Sequence, residues 1–397
     1  MTQDSQEFHK SASSNAAGLL HSALGPGDPA RFVSVPGRIN LIGEHVDYHG
    51  LPVLPMALQR RVTLAFRPRA DRQVRAISAP YGHREFCLCG SPEPGPRGDW
   101  SNYLKAGMQV AASRWKLTVG IDCAVVSDLP PAAGLSSSSA LLVGFTLALL
   151  QANGFQPQIG ELLDILPEGE QFVGTRGGGM DHAAVLACRS GCALLIRFDP
   201  LELDAIPVPS DWSFLVAHSL TTAEKSGAVN SEYNARRTAG ISGLQRLGLE
   251  SYRDATSQYS LDELIVLADR LSGDESRSFH HVVSEKFRVD ECLAALRAQD
   301  IDRFGRVLTS SHASLRDHLL VSNPSLDSLV QTALDAGAQG ARLTGAGFGG
   351  CAIILSRMED RERLRAELIS RYYETRAGFD PEKHLFFAQP SAGALCG

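Results

Sequence analysis

Between Ser136 and Asn153 the chain reads SSSSALLVGFTLALLQAN, a helical stretch that is apolar almost all round. Such a helix has little to offer water and must be largely buried, so it demands a sizeable core. The 397 residues, 44% of them hydrophobic, are enough for that core and for two domains of ordinary size. Just before the helix, IDCAVVSDLPP reads as a strand stopped by its prolines, and Gly134 and the serines fill the turn between. A helix N-terminus has free N–H groups and a partial positive charge, and so attracts phosphate. Gly134 lets backbone approach closely, and Ser136 to Ser139 can donate to phosphate oxygens or ligate Mg²⁺. An N-cap needs only one serine, and four hydroxyls behind a glycine exceed that. The Walker pattern GxxxxGK[ST] is absent.

Two further loops fit the same theme. GTRGGGMDHAA sets three glycines ahead of Asp181, and RLTGAGFGGCAIIL sets Gly345, Gly347, Gly349 and Gly350 ahead of a strand. Either alone is an ordinary turn signal; three in one chain favour nucleotide phosphate. A fourth stretch, GEHVDYHG, packs Glu44, His45, Asp47 and His49 together. It could hold a metal, act as an acid/base set, or grip hydroxyls of a small polar ligand. His45 and His49 have the i, i+4 spacing of a helical zinc pair, but Gly43, Gly50, Pro52 and Pro55 oppose a helix there. A polar loop between strands suits hydroxyl recognition better.

RFVSVPGRINLIG and RRVTLAFRPR read as strands, and WSNYLKAGMQVAASRW as a helix. From about residue 210 a new strand, SDWSFLVAHS, leads into amphipathic helices. The expected architecture is α+β in two packed lobes, residues 1–210 and 211–397, with the chemistry in the cleft between them. A net charge of -6 with mixed signs disfavours nucleic acid as a partner. The N-terminus lacks the basic-then-apolar order of a signal peptide, and no apolar run is long enough for a membrane span. The eight cysteines lack zinc-site or disulfide-scaffold spacing, and CLCG is one residue short of CxxC, so reduced cytoplasmic thiols are expected.

At this point the motifs match a family. PGRINLIGEHVDYHGLPVLPMAL resembles the signature of galactokinases, and PPAAGLSSSSA and GARLTGAGFGGC resemble the second and third motifs of the wider GHMP kinase superfamily. EKSGAVNSEYNARR, HHVVSEKFRV and SHASLRDHLLVSNPSLDSLV are also similar to galactokinase segments, so the likeness runs from about residue 30 to near the C-terminus. The resemblance implies the two-lobed GHMP kinase fold, with ATP and sugar in the cleft. It implies Asp181 as the active-site aspartate and Arg38 as the arginine that contacts it. Glu44, His45, Asp47, Gly178 and Tyr233 would bind the sugar, and Gly134, Leu135, Ser136, Ser137 and Ser138 the ATP phosphates. Ser138 and a helix glutamate, Glu170 with Glu168 as the alternative, would hold Mg²⁺.

The chain departs from the family pattern in three places: His182 follows Asp181 where glutamine is usual, Gly177 stands where cysteine is common, and the region of the helix glutamate reads LPEGEQFVG, with Pro167 and Gly169 beside Glu168 and Glu170. The reading that follows is an ATP-dependent sugar 1-kinase, most simply a galactokinase, compatible with a monomer. Gly177 is expected to leave room beside the sugar for a 2-substituent. The alternatives are an N-acetylgalactosamine kinase, which shares GEHVDYHG and GTRGGGMD, and a catalytically silent sugar sensor, which would be expected to lose the serine loop or the aspartate.

Overall fold

The computed structural model describes residues 3–131, 133–222 and 227–396. Ala132 of the serine motif and Glu224 to Ser226, which begin EKSGAVNSEYNARR, lie outside the described residues. In chain order the strands are β1 (Arg31–Ile42), β2 (Leu54–Pro68), β3 (Gln73–Ser78), β4 (Gly82–Cys87), β5 (Ile121–Ser127), β6 (Cys192–Arg197), β7 (Glu202–Pro207), β8 (Trp212–His218), β9 (Gly340–Leu343), β10 (Cys351–Arg357), β11 (Leu385–Ala388) and β12 (Leu395–Cys396). The first helices are α1 (Gln3–Leu24), α2 (Ser101–Arg114), α3 (Ser137–Ala152), α4 (Ile159–Phe172), α5 (Met180–Ala187) and α6 (Gly227–Arg246). Then come α7 (Tyr252–Gln258), α8 (Leu261–Ala268), α9 (Gly273–Ala298), α10 (Ile301–Asp317) and α11 (Pro324–Asp335).

One sheet has the order β12-β1-β2-β5-β3-β4, with β3 and β5 parallel and the other pairs antiparallel. Side chains alternate across it. Leu64 of β2 joins Phe145 and Leu142 of α3 in the main core, while its neighbour Ala65 meets Ala16 and Leu20 of α1. The all-round apolar α3 is thus buried between this sheet and helices α2, α4 and α5. A second sheet, β11-β8-β10-β9, is antiparallel throughout and packs on α10 and α11. The fold is α+β, as the residue pattern leads one to expect, and β8 opens the second sheet at Trp212.

β1 carries the irregularity that builds the site. Its register on β2 jumps from Pro36↔Arg61 to Arg38↔Ala57, because proline removes a ladder donor. Freed from β2, the Arg38 N–H donates instead to the Leu135 carbonyl at 3.1 Å, which joins the strand to the serine loop.

The cysteine expectation needs one correction. Cys87 and Cys89 form a disulfide, with Cα atoms 5.1 Å apart. Residues i and i+2 of an extended chain project to the same face, so CxC can close where CxxC spacing is missing. The other six cysteines are free thiols. Among the described residues no helix is long and apolar enough to cross a membrane.

Candidate active site

A cleft of about 1170 Å³ is lined by residues from β1, the loop before α3, α4, α5, α6 and the turn between β9 and β10. Arg38, Glu44, His45, Asp47, Gly134 to Ser138, Glu170, Gly178, Asp181 and Tyr233 all border it.

Arg38 is the junction. Its Nε and Nη2 each lie 2.7 Å from Asp181 Oδ1, and Nη1 donates to the Gly134 carbonyl at 2.7 Å. Burial alone would pull this guanidinium down, but Asp181, Glu44 and Asp47 hold it above its usual range. Asp181 sits in the first turn of α5, and its other oxygen, Oδ2, accepts from Ser136 Oγ at 2.5 Å and from Ser139 Oγ at 3.4 Å. Donors on both oxygens suit a carboxylate. One residue from the sugar signature, one from the serine loop and one from the glycine–aspartate loop therefore meet in a single cluster.

The serine loop differs from a simple cap. Ser136 occupies the N-cap of α3 with φ 57°, yet its side chain makes no capping bond. Its hydroxyl is given to Asp181, so the loop faces the cleft with backbone and with Ser137 and Ser138. Leu135 contributes only main chain, since its side chain is in the core. Gly134, at φ 76°, packs on the third motif: a Cβ there would come 2.8 Å from the Thr344 carbonyl.

Glu170 lies on α4, 8% exposed, and accepts from Ser139 Oγ at 2.5 Å. α4 runs unbroken through Pro167 and Gly169, which turns Glu170 into the cleft and leaves Glu168 exposed. Oxygen donors from Glu170 and Ser138 at one cleft fit a hard divalent cation beside phosphate.

The sugar-signature loop is wired more tightly than its sequence suggests. Glu44 Oε1 accepts from the Gly345 N–H at 2.7 Å and from Thr344 Oγ1 at 3.3 Å, and burial, opposed by Arg342 and Arg38, raises its pKa. His45 Nε2 must donate to the Ala346 carbonyl at 3.1 Å, so Nδ1 accepts from the Tyr48 hydroxyl at 2.9 Å. Burial, with His281 next, pushes this ring down to about 3, so it stays neutral. Asp47 Oδ2 accepts from the N–H of Gly178 at 3.1 Å and of Met180 at 3.4 Å. Burial, then Asp181, push Asp47 up to about 6. Tyr233 lies beside His45, ring centroids 5.1 Å apart. His49 belongs elsewhere: it is wedged between Tyr48 and Tyr252, its centroid 4.7 Å and 4.8 Å from theirs.

Two glycines of GTRGGGMD explain themselves. A Cβ on Gly178 would lie 2.3 Å from the backbone of Asp47 and Tyr48, so only glycine fits. A Cβ on Gly177 would point at Glu170 Oε2, 3.1 Å away. The absent side chain therefore leaves space beside Glu170, in the cleft that Gly177 lines.

The sequence reading missed the far end of the cleft. Tyr81, Trp100 and Tyr103 line it beyond the serine loop, with Leu129 and Leu141. Trp100 Nε1 is buried without a partner. The only signal was an aromatic pair at the start of α2, which reads equally well as core. Ser139 was noticed as one hydroxyl of a run, without its two carboxylate partners.

Comparison with known proteins follows this geometry. The galactokinase galactose-binding signature matches residues 23–68, the GHMP kinases N terminal domain residues 102–189, and the GHMP kinases C terminal model residues 292–375. The galactokinase of Roseiflexus sp. (strain RS-1) is 37% identical over 356 residues, 87% of this chain and 88% of that protein. That of Chloroflexus aggregans (strain MD-66 / DSM 9485) is 36% identical over 355 residues, 87% of this chain and 88% of its own. Lactococcus lactis galactokinase, solved in complex with galactose, superposes with a TM-score of 0.87 at 27% identity, covering 96% of this chain and 99% of that one.

Proposed function

This chain belongs to the galactokinase family of GHMP kinases, and on that premise we propose that it transfers the γ-phosphoryl group of ATP to the anomeric hydroxyl of galactose. It is a phosphotransferase with an alcohol acceptor. The observation that carries the reading is the Arg38 junction, because one guanidinium touches both Asp181 and the carbonyl of Gly134. A sugar hydroxyl held at Asp181 and a phosphate held at Gly134 to Ser138 would be neighbours there. Phosphoryl transfer asks mainly for that positioning and for charge stabilisation.

In this reading Asp181 accepts the hydrogen bond of the anomeric O–H and takes its proton as the new O–P bond forms and the bond to the β-phosphate oxygen breaks. Arg38 fixes the carboxylate and faces the charge that develops on the phosphoryl oxygens. Asp47, Glu44, His45, Gly178 and Tyr233 form the sugar wall, with His45 acting as a fixed neutral group. The N-terminus of α3 and the main chain of Gly134 to Ser138 take the ATP phosphates, and Trp100, Tyr103 and Tyr81 offer faces for the purine. Ser138 and Glu170 would hold Mg²⁺, which when bound neutralises phosphate charge. A lobe division at residues 210/211, a cytoplasmic setting and a monomeric enzyme belong to the same proposal.

The test is a phosphorylation assay with ATP and Mg²⁺ against galactose, N-acetylgalactosamine, glucose and arabinose. Galactose is expected to have the highest kcat/KM. Asp181→Asn should lower kcat by about 10²–10⁴-fold, the usual size of a lost proton acceptor, with the fold retained by circular dichroism. A preference for another sugar, or an Asp181→Asn enzyme of near-normal kcat, would overturn the reading.

A further inference from the structure

His182 is a buried group at the cleft that the mechanism leaves unused. It follows Asp181 in the first turn of α5, borders the cleft, and is 1% exposed. Neither ring nitrogen has a hydrogen-bond partner. A buried imidazole in that condition loses the solvation of its N–H and its lone pair without compensation. Its charged neighbour is Glu170, with Nε2 3.7 Å from Oε1, just beyond a direct hydrogen bond.

Glu170 is then surrounded asymmetrically. Ser139 donates to Oε1, and His182 faces the same oxygen. Oε2 looks toward Gly177, where a Cβ would intrude to 3.1 Å. Gly177 has no left-handed φ, so its backbone would accept a side chain and only the carboxylate stands against one. Two of the positions at which this chain departs from the family pattern thus converge on one carboxylate.

We propose that His182 and Gly177 are positioning residues for Glu170: Ser139 holds Oε1, the unpartnered His182 ring is aimed at the same oxygen from 3.7 Å, and the bare backbone at Gly177 leaves Oε2 clear for a divalent cation. This rests on the reading of Glu170 as a cation ligand. Groups behind a metal-bound carboxylate set its orientation, and their loss typically weakens metal binding by about 10–100-fold. The pair therefore determines how tightly the enzyme binds the cation with its nucleotide, and leaves sugar binding unaffected.

The experiment measures Mg²⁺ and Mn²⁺ affinity by calorimetry in the presence of a saturating non-hydrolysable ATP analogue. It also measures galactose affinity and the affinity of the cation-free nucleotide. His182→Leu should weaken cation binding by about 10-fold or more, with the other two affinities within about 2-fold. His182→Gln keeps an N–H donor and should stay near wild type. Gly177→Cys should weaken the cation as His182→Leu does, and the double variant should fall short of the sum, since both act through one carboxylate. The proposal is overturned if His182→Leu and Gly177→Cys bind the cation normally, or if they lose sugar and cation affinity alike. Should His182→Leu fail to fold, Gly177→Cys and His182→Gln still decide the matter. Glu170→Gln separates the two layers. If it leaves cation affinity intact, the ligand assignment and this proposal fall together; if it abolishes affinity while His182→Leu does not change it, only the positioning role fails.

Discussion

Asp47 shows how far a single residue's chemistry depends on neighbours that its local sequence does not show. The sequence reading chose it for a sugar-binding role, and the structure adds that it is buried beside Asp181 and pushed up to about 6. The folded value lies above the ordinary 3.8 of an aspartate. The stability linked to this group is therefore fully present below about pH 3.8 and is lost as the pH rises through about 6. The loss is on the order of 3 kcal/mol. Asp47→Asn can still accept the Gly178 N–H but never ionises. In urea unfolding without sugar, the variant should gain on wild type between pH 4 and pH 7, by up to about 3 kcal/mol. A stability difference that stays flat over that range would show that Asp47 is not held in this state. Residue identities were legible here because a long signature fixes them one by one. The partners of His45 were not legible: both its nitrogens are spent on Ala346 and Tyr48, the first of them 301 positions away in the chain.

At the level of elements, the two glycine loops brace each other back to back. Gly134 at φ 76° faces the Thr344 carbonyl, and Gly345 at φ 85° faces the Gly134 carbonyl, where a Cβ would come to 2.6 Å. The N–H of Cys351 donates to Ala133 at 3.1 Å across the same seam. Neither loop can take a side chain without moving the other, so the cleft-facing backbone before α3 is held in place by the β9–β10 turn. Gly134→Ala and Gly345→Ala should each destabilise the protein by about 1–3 kcal/mol, the sum of a left-handed φ and a backbone clash. Because they break one contact, the double variant should be less destabilised than the sum. Urea titrations of the four proteins give the coupling, and strict additivity would mean the loops are independent. Elements with a strong local pattern were legible: α3 through its unbroken apolar run, β5 through its proline stop, and the β9–β10 turn through its glycines. The Ser139–Glu170 pair was not, because its two residues lie 31 positions apart and no local period links them. The N-terminal helix α1 was also missed, since its alanines and serines mark no clear apolar face.

At the scale of the whole molecule, buried contacts tie the two sheets together. The chain's end returns to the first sheet, where β12 pairs with β1 at Val33↔Cys396. The buried Arg61 of β2 donates to the Ala392 carbonyl at 3.0 Å and also bonds Gly393. Arg342, fully buried in β9, donates to the carbonyls of Asn40 at 3.1 Å and Leu41 at 2.8 Å. The Gly43 N–H reaches Glu285 of α9 at 3.0 Å, and His281 donates to the Glu44 carbonyl at 3.0 Å. A polypeptide ending near residue 210 would lose every one of these partners. Buried polar groups left unpaired cost about 1–3 kcal/mol each, and the β1 edge would lie open. Against a typical net stability of about 5–15 kcal/mol, that loss is decisive. The expected outcome is that residues 1–210 alone give no cooperative thermal transition. The full chain should unfold in one transition, with calorimetric and van't Hoff enthalpies in agreement. Two resolved transitions in the full chain, or native-like near-ultraviolet dichroism from the fragment, would show that the lobes are independent domains. The same contacts bear on catalysis, because Glu44 and Arg38 hold their places only while Gly345, Arg342 and Gly134 hold theirs. A cleft built by both halves of the chain should therefore lose its sugar and nucleotide sites together on heating, so galactose and the ATP analogue should each raise the midpoint of the same single transition. A ligand that shifts only part of the unfolding signal would show that the halves melt separately.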